Sequence, residues 1–193
     1  MSYKIPLRED ALELLKSYNK TDSLIKHALA VEAVMRYMAQ KAGEDAEKWG
    51  IVGLIHDLDY EMFPESHCKK TEEVLTENNW HPEYIRAVLS HGWGIFTDIE
   101  PVTKLEKTIY AMDELTGLVA AAALVRPTKS VLDMEVKSVK KKWNDKRFAA
   151  GVDRTVIENG AKLLGATLDE LITDCIMGMR LAAEEIGLKG TIS

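Results

Sequence analysis

The stretch Ile51–Glu61 reads IVGLIHDLDYE. Its first five residues carry no polar side chain, so a helix through them turns apolar surface to every side, as a helix buried all round does. Two ionisable residues, His56 and Asp57, then close it. Burying such a pair without partners is expensive, so it must be ion-paired, hydrogen-bonded or metal-bound. The dipeptide alone also admits a plainer reading, with a helix C-terminal histidine suited to the dipole and an aspartate in a surface turn. The stretch predicts a helix over 45–57, and Pro64 predicts a loop over 58–66.

The same period extends in both directions. Leu12 and Leu15 mark a helix over 8–18. Thr21 or Asp22 caps a long one ending near Lys41, with Gly43 just beyond it. Further helices are expected over 68–77, 82–91, 102–125, 131–143, 152–164 and 168–186, and 92–101 reads as a loop. No alternating strand and no fixed-period repeat appears. The predicted fold is all-α: one helical unit with a core over 8–126 and C-terminal helices over 130–187 packed on it as an extension.

A chain of 193 residues, 46% apolar and 29% charged, suits one soluble domain. It buries roughly 70% of its unfolded surface and needs no disulfide staples. Acidic residues outnumber basic ones 31 to 25, for a net charge of −6. That balance disfavours nucleic acid as a partner, which calls for a cationic surface. The basic run Lys137–Lys142 reads as a solvated helix face. Cys68 and Cys175 form no CxxC pair, which argues against a disulfide framework or a zinc ribbon. The first twelve residues contain no apolar signal segment, and Leu118–Val125, the longest apolar run, is too short to span a membrane. The expectation is a cytoplasmic protein without membrane association. Helices after Ser130 either complete the core or form a homo-oligomer interface.

The histidines carry the chemistry. His27 shares an inward helix face with Val31 and Val34, and Asp113 lies mid-helix beside Ile109, Met112 and Thr116. Each alone is weak, since a lone inward histidine is more often a satisfied core residue. Together with His56 and Asp57 they bring imidazole nitrogen and carboxylate oxygen, the donors of hard and borderline metals, from three helices.

The order His27, His56–Asp57, Asp113 resembles the H…HD…D signature of the HD superfamily of metal-dependent phosphohydrolases, and most of all its small stand-alone members. The resemblance implies an all-α HD-like bundle in which these four residues hold a divalent ion. Some branches of the superfamily add histidines between the HD pair and the last aspartate. His67 and His91 stand in that region, as ligands of a second ion bridged by Asp57 or as substrate contacts. The neighbouring wording HDIGK and a GYP extension are both absent, which argues against cyclic-di-GMP hydrolysis.

Members of the superfamily often use an acid shortly after the motif to position water, so Glu61 is the preferred general acid or base and Asp59 the second candidate. Lys70 and Arg126 are candidate phosphate contacts. The expected function is hydrolysis of a nucleotide or other small phosphate ester by metal-activated water. The cofactor would be one or two ions among Mn, Fe, Ni, Co, Mg and Zn, which mixed N/O ligation does not distinguish. An HD-fold diiron oxygenase and a non-catalytic helical signalling domain are the alternatives.

Overall fold

The computed structural model describes residues 3–191. Within them lie nine α-helices: α1 (Arg8–Tyr18), α2 (Asp22–Ala42), α3 (Ala46–Ile55), α4 (Lys69–Glu77), α5 (Pro82–Leu89), α6 (Lys104–Leu124), α7 (Val136–Trp143), α8 (Arg154–Leu164) and α9 (Leu168–Leu181). Two single 3-10 turns, Pro64–Ser66 and Ser90–Gly92, flank α4 and α5. Among the described residues β structure is limited to two isolated bridges. The all-α reading holds.

The long helix α2 is the hub. It packs against α3, α6 and α9, and α6 in turn carries α8. Val31, Val34 and Met35 of α2 are fully buried, and every residue of α3 from Trp49 to Ile55 is buried, as its unbroken apolar run requires. Local chemistry sets the ends. Gly43 takes the left-handed conformation (φ 69°) that closes α2, and Asp45 accepts the backbone N–H groups of Glu47 and Lys48 to open α3. Thr103 and Glu106 form a reciprocal capping box on α6. Glu32, a buried carboxylate on α2, accepts from Arg8 and Arg36 at 2.6 and 2.9 Å and so ties α1 to the hub.

The segment expected as one helix over 131–143 is helical only from Val136. Before it, the Val131 and Met134 carbonyls accept from Arg180 of α9 (3.2 and 2.8 Å), and the Val131 N–H donates to Leu188. A helix begun at Val131 would need those two carbonyls for itself and would leave the Val131 N–H without an intrahelical partner, so tertiary contacts override the local preference. The last expected helix, over 168–186, stops at Leu181 and continues as turns to Gly187. The C-terminal helices enter the core directly. Gly160 of α8 lies against Ala111, and Gly178 of α9 lies against Val34, where an added Cβ would stand 2.6 Å from the Val34 Cα.

That close approach gives a test. Gly178→Leu overpacks the α2–α9 crossing and should cost about 1–3 kcal/mol in urea unfolding. An unchanged midpoint would show that α9 does not seat on α2 this way.

Candidate metal centre

Three elements and two loops converge on one cavity of about 360 Å³. His27 points in from the second turn of α2. His56 and Asp57 follow the last residue of α3. Asp113 comes from the middle of α6. The link from α3 to α4 supplies His67, and the 3-10 turn after α5 supplies His91. A larger groove of about 560 Å³, lined by Glu44, Lys48, Glu83 and Arg86, lies elsewhere and contains no histidine.

The imidazoles are held in one orientation. His56 Nδ1 lies 2.7 Å from the Gly53 carbonyl, His67 Nδ1 lies 2.7 Å from Asp59 Oδ1, and His91 Nδ1 lies 2.6 Å from the Val88 carbonyl. Each acceptor calls for Nδ1–H, which leaves Nε2 of His67 and His91 on the side of Asp57 and that of His56 facing Asp57 and Asp113. His27 Nε2 lies 2.9 Å from Asp113 Oδ1. His56 Nε2 is fully buried and forms no hydrogen bond, although Asp113 Oδ1 is 3.2 Å and Asp57 Oδ2 3.4 Å away. Both contacts are close but misaligned. A buried ring nitrogen surrounded by carboxylate oxygens and left without a hydrogen bond is the environment of a metal ligand.

Asp57 divides its oxygens between two groups. Oδ2 faces His56 at 3.4 Å and His27 at 3.9 Å. Oδ1 faces His67 at 3.5 Å and His91 at 3.6 Å. Ligand atoms of His27, His56, Asp57 and Asp113 all lie within 4.8 Å of one another, and so do those of His67, Cys68 and His91. Both groups could hold an ion.

The electrostatics follow from that crowding. Burial opposes charge on His56, but Asp57 and Asp113 outweigh it and lift its pKa to about 10. Burial likewise opposes charge on His67, and the hydrogen bond to Asp59 outweighs it, for a value of about 9. Asp57 and Asp113 resist their own burial because the imidazoles, His56 foremost, hold both well below the usual carboxylate range. For Cys68, burial pushes the thiol up, but His91 and His67 together bring it down to about 7.

Four expected site residues have other work. Glu61 accepts from the Lys20 and Thr21 N–H groups (2.7 and 3.0 Å) and from the Thr21 hydroxyl, so it secures the chain entering α2 and does not line the cavity. Asp59 is fully buried. Its Oδ1 is taken by His67 and its Oδ2 accepts from the Thr71 N–H at 2.8 Å, so it orients a ligand and is not free to handle a proton. Lys70 pairs with Glu73 and lies over the Phe63 ring, away from the cavity. Arg126 pairs with Asp133 and Ser138 beyond the end of α6. Neither reaches a phosphate in the cavity. Of the loop aromatics, Phe96 stands at the rim with Tyr60 and Ile95, while Trp93 packs on Tyr110. His81 caps α5.

Sequence reasoning missed Glu114. It lines the cavity beside Asp113, and its Oε2 accepts from the Asp153 N–H at 3.0 Å. Burial, and then the Asp113 charge, raise its pKa to about 7. Its only signal in the sequence is adjacency to Asp113, since α8 and the turn before it form the wall that buries it.

Residues 24–118 match the family described as HD domain, and that span holds all four residues of the signature. The chain carries an HD domain. HD domains bind divalent metals and belong to a superfamily of metal-dependent phosphohydrolases. Over 110 residues the chain is 30% identical to Ribonuclease Y of Bacillus subtilis, covering 55% of this chain and 20% of that protein. The Ribonuclease Y proteins of Bacillus velezensis and Bacillus pumilus match to the same extent. The chain thus spans about a fifth of the length of the curated relatives it matches. No solved structure is significantly similar to it. Among the described residues, no helix is long and apolar enough to cross a membrane.

The HD-domain imidazoles bind protons where an ion would bind. With His56 near 10 and His67 near 9, the metal-free site is protonated at neutral pH, so metal uptake must release protons. Apparent affinity should rise with pH up to about 9–10. Below that range it should fall by up to about tenfold per pH unit for each proton displaced. Titration calorimetry in buffers of different ionisation enthalpy measures this directly, and a pH-independent affinity with no proton release would contradict it.

Proposed function

We propose that this protein is a metal-dependent phosphohydrolase acting on a small phosphate monoester. His27, His56, Asp57 and Asp113 would hold one divalent ion. His67 and His91 would hold a second, with Asp57 shared between the two. The observation that carries this reading is the division of the Asp57 oxygens between two sets of imidazoles whose Nδ1 atoms are already committed. Such ions supply Lewis acidity toward a phosphoryl oxygen and activate water at neutral pH.

The chain's own residues do the rest. Asp59 and the Gly53 and Val88 carbonyls hold the imidazoles in register, so the charge facing the substrate is preorganised. Glu114 takes the role that Glu61 cannot fill, as the cavity-facing acid that accepts or returns a proton. Tyr60, Ile95 and Phe96 offer an apolar rim for the ester's organic group.

The walls also speak to substrate size. Among the described residues no lysine or arginine lines the cavity, whereas Glu114 and Asp153 do. A nucleoside triphosphate or a long RNA strand would bring more negative charge than this cavity can pair. The RNA substrate named for the Ribonuclease Y relatives is the second reading. It is supported by 30% identity over the HD region and opposed by this acidic wall and the net charge of −6.

The experiment is a release assay over phosphate monoesters, nucleoside triphosphates and RNA, with metal content measured alongside. Monoesters should be preferred, and Asp57→Ala should lose both metal and turnover. Wild-type turnover in Asp57→Ala would overturn the mechanism. Cleavage of RNA alone would favour the second reading, and iron with oxygen uptake but no phosphate release would favour an oxygenase. Glu114→Gln should retain its metal and lose roughly 100-fold or more in kcat. Unchanged kcat would remove Glu114 from the reaction.

A further inference from the structure

The molecule contains two buried free cysteines in very different settings. Cys175 sits in regular helix α9, with its sulfur 3.6 Å from the Thr116 hydroxyl and 3.9 Å from the Met179 sulfur. It behaves as a small core hydrophobe, and burial pushes its thiol up to about 12. Cys68 differs on every count. It has the left-handed backbone angle φ 67° (ψ −42°), which costs a non-glycine residue of order 1–3 kcal/mol. It directly follows His67, and this turn brings two consecutive side chains into the same interior.

The opposite wall leaves room for the sulfur. Gly92 has no Cβ, and one added there would stand 2.8 Å from Cys68 Sγ, too close for the sulfur to stay. Around that sulfur are the second group of donors. His91 Nε2 is 4.0 Å from Sγ and 3.1 Å from His67 Nε2. Asp57 Oδ1 is 3.5 and 3.6 Å from the two nitrogens. Atoms bound to one tetrahedral ion at ordinary Zn–N, Zn–O and Zn–S lengths stand roughly 3.3–3.6 Å apart. The two nitrogens and the oxygen are thus spaced close to three corners of one such ion, and the sulfur stands just beyond the fourth, 4.0 Å from His91 Nε2 and within 4.8 Å of a ring nitrogen of His67. Two Nε2 atoms facing each other at 3.1 Å, each with its Nδ1–H committed elsewhere, have at most one proton between them.

We propose that Cys68 is a thiolate ligand of the second ion, completing an N2OS donor set with His67, His91 and Asp57. This rests on the two-ion reading above and adds to it the class of metal. A thiolate selects thiophilic borderline ions such as Zn2+, Fe2+ or Co2+ over Mg2+ and Mn2+, whereas the first position, with only nitrogen and oxygen donors, does not discriminate in this way. The strained turn at Cys68 and the bare backbone at Gly92 are then the structural conditions for bringing the sulfur to the ion.

The test is reconstitution of the full chain with Co2+, which reads ligand type by absorption and occupancy by elemental analysis. The expected result is two Co2+ per chain and a near-ultraviolet sulfur-to-cobalt charge-transfer band. Cys68→Ser should lose that band and bind the second ion at least about tenfold more weakly, since even an outer partner of a ligand is worth that much. Gly92→Ala should weaken the band by displacing the sulfur, with Cys68 itself intact. Two ions with no such band in the wild-type protein would overturn the role of Cys68 and leave the two-ion reading standing. A single ion with no band, and identical behaviour of Cys68→Ser, would overturn both.

Discussion

The Asp57 carboxylate, set among four imidazoles at the end of a buried helix, is the interaction around which this molecule is arranged. A carboxylate and so many histidines could not share an apolar interior uncompensated. Each therefore has a partner or an orienting acceptor. His27 has Asp113, His67 has Asp59, and His56 and His91 have main-chain carbonyls. His56 Nε2 alone is left over, buried and without a hydrogen bond. The fold gives up stability to hold charge in place, and a cation bound there would make that arrangement favourable.

The scaffold follows from that requirement. Helix α3 must be apolar on all sides because it carries His56 and Asp57 into the middle of the protein. Helices α2 and α6 must lie against it to bring His27 and Asp113 within reach. Glu61, four residues after Asp57, reaches back to hold the start of α2, so the turn after the HD pair and the helix bearing His27 are fixed to each other. The C-terminal helices brace the same assembly from outside. Helix α9 lies on α2, and the turn before α8 closes the cavity over Glu114.

Several residues changed meaning once their neighbours were visible. Asp59 and Glu61 look alike in the sequence, two loop acids after a motif. One is buried under His67 and the other caps the entry to α2. Lys70 and Arg126 look like phosphate ligands only while their partners Glu73 and Asp133 are out of view. Glu114 and Cys68 look like an ordinary helix acid and an isolated cysteine. Their settings come from residues 39 and 23 positions away, Asp153 and His91, which no local pattern connects.

The sequence by itself determined the helical class, the helix order and the four signature residues, because helical period, caps and the HD pair are short-range features written in consecutive residues. The sequence also singled out His67 and His91, through their position between the HD pair and Asp113. Tertiary structure alone decided which oxygen of Asp57 faces which imidazole, that Asp59 orients His67, that Glu61 is structural, that Glu114 lines the cavity and that Cys68 meets His91. The reason is physical. These roles depend on distances and burial between segments far apart in the chain, and a carboxylate or a thiol takes its chemistry from what surrounds it.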